Sequence, residues 1–600
     1  MLEYLIKIDS GQYLSDILSL IPNNVILNKT LTGCGATTLE INAPRNSIII
    51  EPNVPVIIGK KQQHPFLMPV YEGTTKDDLK EYLAGEQDGY RKIITTPEGF
   101  DKKVIPAMYE TSTPVYDDYF LLFDECEKTI QDVGYRGDIY LPVEDFFKFR
   151  NKAMVSATPI IPSDPRFEEQ GFEMLKIVPS YEYRQPLTLC ITNNTVAVLR
   201  KLLERLKDET VCIFLNSTDT ALSLIQTFRL QGRSKIFCSE KSVKKLKRLN
   251  FPHASDSLGE MAEVNIFTSR FYSAVDIYLD RKPHVIVLSD VIRAPYSIID
   301  PHTEIIQAIG RFRNGIAKAY HIANTSDRLQ CLSREELEYR LENEESVYMA
   351  VAAMQTSNEI QTECKQQALK GMDYKRFVTR EGKRNHFMWD NAREDEKIKS
   401  YYSLPSALQE VYKTAPFRLD VHRLEYPITD EDRLQREKAG LNSKELWQEV
   451  IRQLSALKAK NCNPEAAFLI DELGDEFNIM TQAFVILGEK RIEELGYNRR
   501  NIESALKQME ENRLLTSAKM QKAVYARFHT GDIVETAEVN AFMKRLITEN
   551  GIPFNGQVDK KVIRLFFEIE DCKLRGNRGL RFGNKRYEFR IWRTDIDRGS

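Results

Sequence analysis

The first half of this sequence predicts layers of parallel sheet and helix, and most of the second half predicts helix. Two observations carry that division. From about residue 20 to 325, short runs rich in Val, Ile and Phe alternate with helix-length segments, as strands buried on both faces of a parallel sheet do. Beyond about residue 330 such runs largely vanish, and Glu, Lys, Arg, Gln, Leu and Ala, which favour helix, take over. At 600 residues the chain exceeds one core, and about 150 residues per domain suggests about four domains.

The strand runs follow in order. Val25-Ile26-Leu27, Ser47-Ile48-Ile49-Ile50, Lys92-Ile93-Ile94, Tyr119–Phe123 and Ala153-Met154-Val155 belong to one α/β lobe, residues 1–182. Val211–Leu215, Asn265-Ile266-Phe267 and Val285–Leu288 belong to a second, residues 183–330. Residues 179–189, with Pro179 and Pro186, read as the linker between them. A helical accessory region follows over 331–515, with helices expected at 334–370, 443–460 and 498–525. Its residues suggest no chemistry, and 372–440 gives no clear pattern. The last stretch, 516–600, reads as helix 536–550, a Gly-Ile-Pro turn, helix 558–570, a Gly/Arg-rich turn and a strand-like run Lys585–Ile591. That order suggests a small winged-helix-like module.

Composition excludes several classes. The net charge of −3 gives no global basic field, so any nucleic-acid surface is a local patch. No stretch approaches the roughly 20 apolar residues of a membrane-spanning helix. The N-terminus lacks a basic segment followed by an apolar run, so no signal peptide is expected. The nine cysteines form no C-x-x-C pair, which argues against a zinc ribbon and fits a cytoplasmic protein.

Four motifs carry chemistry. Thr30-Leu31-Thr32-Gly33-Cys34-Gly35-Ala36-Thr37-Thr38 joins a strand run to a helix start. Such a glycine-rich turn lets backbone N–H groups surround phosphates, and a hydroxyl at its end ligates Mg²⁺. The pattern G-x-x-x-x-G-K-[ST] is not met: Ala36 stands where the lysine belongs, with Thr37 in the metal-ligand place. Lys29 is the nearest lysine. Second, the run Tyr119–Phe123 delivers Asp124-Glu125-Cys126-Glu127 at its end, an arrangement in which Asp124 serves a metal ion and Glu125 polarises a water. Third, Ser156-Ala157-Thr158 follows a strand run. Fourth, Gln307-Ala308-Ile309-Gly310-Arg311-Phe312-Arg313 places Gln307, Gly310 and Arg311 on one helical face, with Arg313 pointing elsewhere. Arginines across a cleft can neutralise charge on a transferred phosphoryl group.

In this order, the motifs resemble those of superfamily 2 helicases of the DEAD/DEAH type, over about residues 1–330. The resemblance implies two tandem RecA-like lobes with ATP and Mg²⁺ between them. Lys29, Thr32, Gly33, Cys34, Gly35, Ala36, Thr37 and Thr38 would form the nucleotide loop, with Asp276 sensing nucleotide from the second lobe. Thr37 and Asp124 would hold the metal. Glu125 would be the catalytic base, supported by Gln307, Arg311 and Arg313. Pro52, Asn53, Thr96, Pro97, Glu98, Gly99 and Thr268 would touch the nucleic-acid backbone. The implied activity is ATP-driven helicase or translocase action, DNA foremost, with replication in a phage or mobile element, and its replication proteins, as the setting. A motor on duplex DNA without unwinding and a catalytically degenerate DNA-binding scaffold remain alternatives. The missing lysine leaves two readings: Lys29 supplies the charge, or hydrolysis is lost. Arg575, Arg578 and Arg581, amid the aromatics and cations of 560–593, would add a nucleic-acid surface.

Overall fold

A computed structural model describes residues 1–86, 89–272, 276–439, 443–459, 478–554 and 558–586. The chain divides into two compact units, Met1–Glu431 and Asp432–Ser600.

The first unit contains two tandem RecA-like lobes, each built on an eight-stranded parallel sheet. The first sheet runs β1 (Glu3–Ile8), β8 (Glu173–Pro179), β2 (Val25–Asn28), β7 (Asn151–Ser156), β6 (Tyr119–Asp124), β3 (Asn46–Ile50), β5 (Lys92–Thr95), β4 (Met68–Val70). Both faces are covered. Ile26, Ile48 and Ile50 pack into one core layer, whereas Val25, Leu27 and Ile49 pack into the other. Alternate side chains of a strand point to opposite faces, so apolar residues at successive positions are what two-sided burial requires.

The second sheet runs β12 (Ala254–Ser255), β11 (Ser234–Phe237), β13 (Val264–Phe267), β10 (Val211–Phe214), β14 (His284–Ser289), β15 (Lys318–Ala323), β9 (Gln185–Thr192), β16 (Phe417–Leu424). The connection between the sheets is shorter than the sequence suggested. It spans 180–184, because residues 185–189 already pair within β9. β16 comes from within 372–440, the stretch whose sequence gave no clear pattern. Its Phe417, Leu419 and Val421 alternate with polar residues, the period of an edge strand with one covered face. Helices His386–Tyr401 and Pro405–Thr414 lead into it, and Tyr402, Leu408, Tyr412 and Phe417 complete the second lobe's core. The expected helix 334–370 is two helices, Arg334–Ala353 and Glu359–Gly371.

Among its described residues the second unit is helical up to Arg527 and then mixed. The expected helix 498–525 is split into Arg499–Leu515 and Ala518–Arg527. β17 (Ile533–Glu535) and helix Thr536–Glu549 follow. The expected helix 558–570 is not formed. Only Lys560–Ile563 is helical, and Phe567–Leu574 is β18, which pairs antiparallel with β19 (Asn577–Lys585). Phe567, Phe582 and Leu580 bury one face of this hairpin, and that pairing overrides local helix preference. Residues 587–591 of the expected terminal run lie outside the described residues. Among the described residues no helix is long and apolar enough to cross a membrane.

The contribution of β16 has a measurable consequence. A chain ended at residue 330 lacks four large buried side chains of the second lobe, each worth about 2–5 kcal/mol. Their sum reaches the roughly 5–15 kcal/mol that stabilises a domain. Such a fragment is expected to aggregate or melt without cooperativity, while one ended at residue 431 is expected to be monodisperse and melt cooperatively. Size-exclusion chromatography with thermal melting checks both.

Candidate functional site

Parallel strands present all their C-terminal ends at one edge of a sheet, and ligands bind there. In the first lobe the ends of β2, β3, β6 and β7 bring Lys29, Glu51, Asp124 and Ser156 together. Lys29, Glu51 and Asp124, with the glycine loop and Ile309–Arg313 of the second lobe, frame a cavity of about 1130 Å³ lined by polar and apolar groups alike.

The loop between Lys29 and helix Ala36–Ile41 turns through left-handed backbone at Thr30 (φ 56°), Gly33 (φ 74°) and Gly35 (φ 92°). A side chain at Gly35 would be strained there. Thr37 sits in the first turn of the helix, and its hydroxyl donates to the Asp124 carboxylate. No lysine stands at position 36, and the nearest one, Lys29, directly follows β2. Lys29 Nζ lies 3.2 Å from Glu125 Oε1 and 3.5 Å from Asp124 Oδ1, with both carboxylates buried. Burial by itself would lower the Lys29 ammonium's pKa, but Glu125 and then Asp124 outweigh it and raise it. Burial would likewise raise Glu125, but Lys29 and Arg311 hold its pKa at about 2. Burial, then the charge of Glu125, lifts Glu127 to about 8, and burial with Asp124 and Glu125 also raises Glu51. Glu125 adopts left-handed backbone (φ 46°), a conformation that costs free energy in a non-glycine residue.

The second lobe closes over this cluster. Gln307 Nε2 donates to Glu125 Oε2 (3.0 Å), Glu127 Oε1 (3.2 Å) and Thr158 Oγ1 (3.3 Å). Arg311 donates to the carbonyl oxygens of Gln307, backbone at 3.2 Å and side chain at 2.9 Å. Arg313 does not point away as a continuous helix would place it. The helix Glu304–Gly310 ends first, and backbone bonds between Ile277 and both Arg311 and Arg313 turn the chain back. Arg313 then pairs with Asp276 at 2.7 Å and rests on Gly33, where any Cβ would overlap its guanidinium. Ser156 and Thr158 join the same cluster, the Thr158 amide donating to Ser156 Oγ.

Thus Lys29, Thr32, Gly33, Gly35, Ala36, Thr37, Thr38, Asp124, Glu125, Asp276, Arg311 and Arg313 all line one cavity, with Gln307 bonded to its carboxylates. Cys34 is different: its side chain packs in the first lobe's core and its carbonyl accepts from the Leu14 amide, so only its backbone belongs to the loop. Glu51 faces the carboxylates, and two further lining residues that touch the loop were not read from the sequence: Lys60 donates to Thr38 Oγ1 (3.1 Å) and Tyr13 lies over Gly35. Neither of the two sits in a recognisable spacing, so no sequence signal marked them.

A second groove of about 1010 Å³ lies between the same lobes, separated from the first cavity by Pro55, which lines both. Pro52, Asn53 and Thr268 line it. Thr96, Pro97 and Gly99 do not; they are buried, with the Thr96 hydroxyl capping its own turn. Glu98 instead makes a two-pronged ion pair with Arg136, which does line the groove. Arg575, Arg578 and Arg581 belong to the second unit, at the β18–β19 hairpin.

No protein-family model matches the sequence, and no curated protein matches it. Among solved structures it is similar to S. cerevisiae Dbp5 bound to RNA and ADP BeF3, with 15% identity and a TM-score of 0.34 over 51% of this chain and 80% of that one. It is similar to the DUF1998 helicase MrfA bound to DNA, with 14% identity and a TM-score of 0.34 over 51% of this chain and 44% of that one. It is also similar to the Pyrococcus furiosus Hef helicase domain, with 10% identity and a TM-score of 0.31 over 54% of this chain and 95% of that one. The two-lobe fold stands on the strand orders themselves.

The lobe contact is tight enough to test. A Cβ at Gly310 would stand 2.6 Å from Thr32 Cγ2, so Gly310→Ala forces the lobes apart at a cost of about 1–3 kcal/mol. Faster proteolysis within 180–184 is expected, and adding Thr32→Gly is expected to restore the wild-type rate.

Proposed function

We propose that this chain is an ATP-driven motor on nucleic acid, a helicase or translocase of the superfamily 2 type, in which Lys29 replaces the missing loop lysine. The position of Lys29 carries the proposal. Its ammonium lies between the loop and the Asp124 and Glu125 carboxylates, where charge on ATP phosphates would need a cation. A decayed site would not keep a buried cation in that place together with Thr37, Gln307, Arg311 and Arg313.

The donor set fits Mg²⁺. Thr37 and Asp124 already meet, and a hydroxyl with a carboxylate are hard oxygen ligands. Held there, the ion would neutralise phosphate charge. Lys29 would leave the carboxylates for the phosphates. That move releases Glu125, which then accepts a proton from the attacking water more readily. Arg313, resting on Gly33, and Arg311, aligned by Gln307, would stabilise charge on the transferred phosphoryl group. Gln307 and Thr158 connect that event to the opposite lobe, so hydrolysis and lobe closure are coupled.

The second unit would hold a second nucleic-acid surface. Its order of helix, strand, two helices and a hairpin, with a β17-β19-β18 antiparallel sheet, fits a winged-helix-like module. Lys573 pairs across the hairpin with Arg578, and Arg575 forms the turn, so three cations gather at the tip. Arg581 faces Glu570, which offsets its charge.

Two measurements test these assignments. ATP turnover with single-stranded DNA, duplex DNA, RNA or no polynucleotide is expected to be stimulated by polynucleotide. Lys29→Ala is expected to lower kcat by about 100- to 1000-fold, and Lys60→Ala far less. Equal rates for Lys29→Ala and wild type would refute the displaced lysine; no turnover in the wild type would favour the scaffold reading. Separately, removing residues 516–600 is expected to flatten the salt dependence of duplex binding by about one unit of log–log slope per lost phosphate contact.

A further inference from the structure

One end of the first sheet is an open edge. β1 is its outermost strand, paired on one side with β8 in parallel register from Glu3 opposite Met174 to Ile8 opposite Pro179. The Leu2 and Ile8 carbonyls accept from the Met174 and Ser180 amides. Backbone groups of a strand alternate sides with a period of two, so Leu2, Tyr4, Ile6 and Ile8 turn theirs toward β8. Glu3, Leu5 and Lys7 turn theirs outward, where no described strand meets them.

The other edges of the two large sheets are guarded. β4 has three residues with Pro69 in its middle, and β12 has two residues. β16 carries exposed Arg418, Asp420, His422 and Arg423. Short strands, proline and charge are how folded proteins keep edges from pairing with other chains. β1 has six residues, no proline and exposed apolar side chains: Leu5 is 65% exposed and Tyr4 is 49% exposed. An edge of this kind takes up another strand through main-chain hydrogen bonds.

The side chains of β1 select the partner strand. Laid antiparallel on a second copy of itself with Leu5 facing Leu5, β1 sets Glu3 opposite Lys7 and Lys7 opposite Glu3. All three pairs join residues whose backbone groups turn outward, so each can exchange two N–H···O bonds. The opposite charges share one face with the leucines between them. Glu3 already reaches Lys176 of β8 on that face (3.5 Å), an exposed pair beside the place where the second Lys7 would enter. On the other face Tyr4, whose hydroxyl donates to Glu173 (3.3 Å), lies opposite Ile6. An aromatic against a β-branched side chain is a favourable cross-strand pair. A register shifted by two residues in either direction sets Leu5 against a charged residue and loses both charge pairs. Glu3 and Lys7, the only charges on β1, thus discourage other strands and favour this one.

We propose that β1 is a self-pairing edge: two copies of this chain join antiparallel along Glu3–Ile8, about a two-fold axis at Leu5, and continue their eight-stranded sheets into one. The same patch serves on both copies, as a closed two-fold dimer requires. No residue of β1 lines either cavity, so the inference stands apart from the motor reading.

Sedimentation velocity of the full chain over a range of concentrations tests it. One strand pair is smaller than a standard interface, so a monomer–dimer equilibrium with a Kd on the order of 1–100 μM is expected. Glu3→Lys and Lys7→Glu each set like charges opposite one another twice per dimer. Each is expected to weaken association about 10- to 100-fold. An equimolar mixture of the two variants brings opposite charges together at both places and is expected to associate like the wild type. Leu5→Lys, at an exposed position, is expected to abolish the dimer and leave the thermal unfolding of the monomer unchanged. A wild type that stays monomeric well above that range would overturn self-pairing. So would a dimer that the charge variants leave unchanged, or a mixture that does not regain association.

Discussion

One buried ammonium organises this molecule's chemical centre. Asp124, Glu125, Glu127 and Glu51 converge at the edge of one sheet, shielded from water. Buried carboxylates of like charge repel, and leaving one charge unpaired costs several kcal/mol. Lys29 answers the two nearest, Glu125 and Asp124. Burial and the neighbouring carboxylates still push Glu127 and Glu51 toward their protonated forms. The site is thus poised between charge states, and a polyphosphate with its metal would redistribute every one of these pairings.

The same cluster joins the lobes. A single amide, Gln307, donates to acceptors on both strand-end motifs of the first lobe and accepts from Arg311 of its own segment. Gly310 and Gly33 allow the loop and the arginine segment to touch, because no Cβ intervenes. Helix His386–Tyr401 lines the other side of the cleft. Two cavities therefore lie between the same two lobes, one around the carboxylates and one along the exposed Tyr135 and Tyr296.

Much of the first unit was legible because burial on both sheet faces forces near-continuous apolar runs. Eight such runs mark strands of the two sheets. Strands with one covered face or with shorter runs, such as β1, β4 and β16, were less legible, since alternating or brief apolar patterns also occur in helices and loops. β18 misled for a different reason. Phe567 to Leu574 carries charges compatible with helix, and only its partner β19 makes it a strand.

By itself the sequence determined the order of glycine loop, paired carboxylates, S-A-T and arginine segment, because each needs particular residue types at short spacing. It did not determine that Lys29 reaches the paired carboxylates. That depends on where Lys29, at the end of β2, points relative to the end of β6, two strands away in the sheet although far apart along the chain. Nor did it determine that Arg313 returns to the cleft, or that Tyr135 and Tyr296 share one groove. Those placements follow from sheet order, helix termination and lobe closure, which are non-local and leave no local spacing to read.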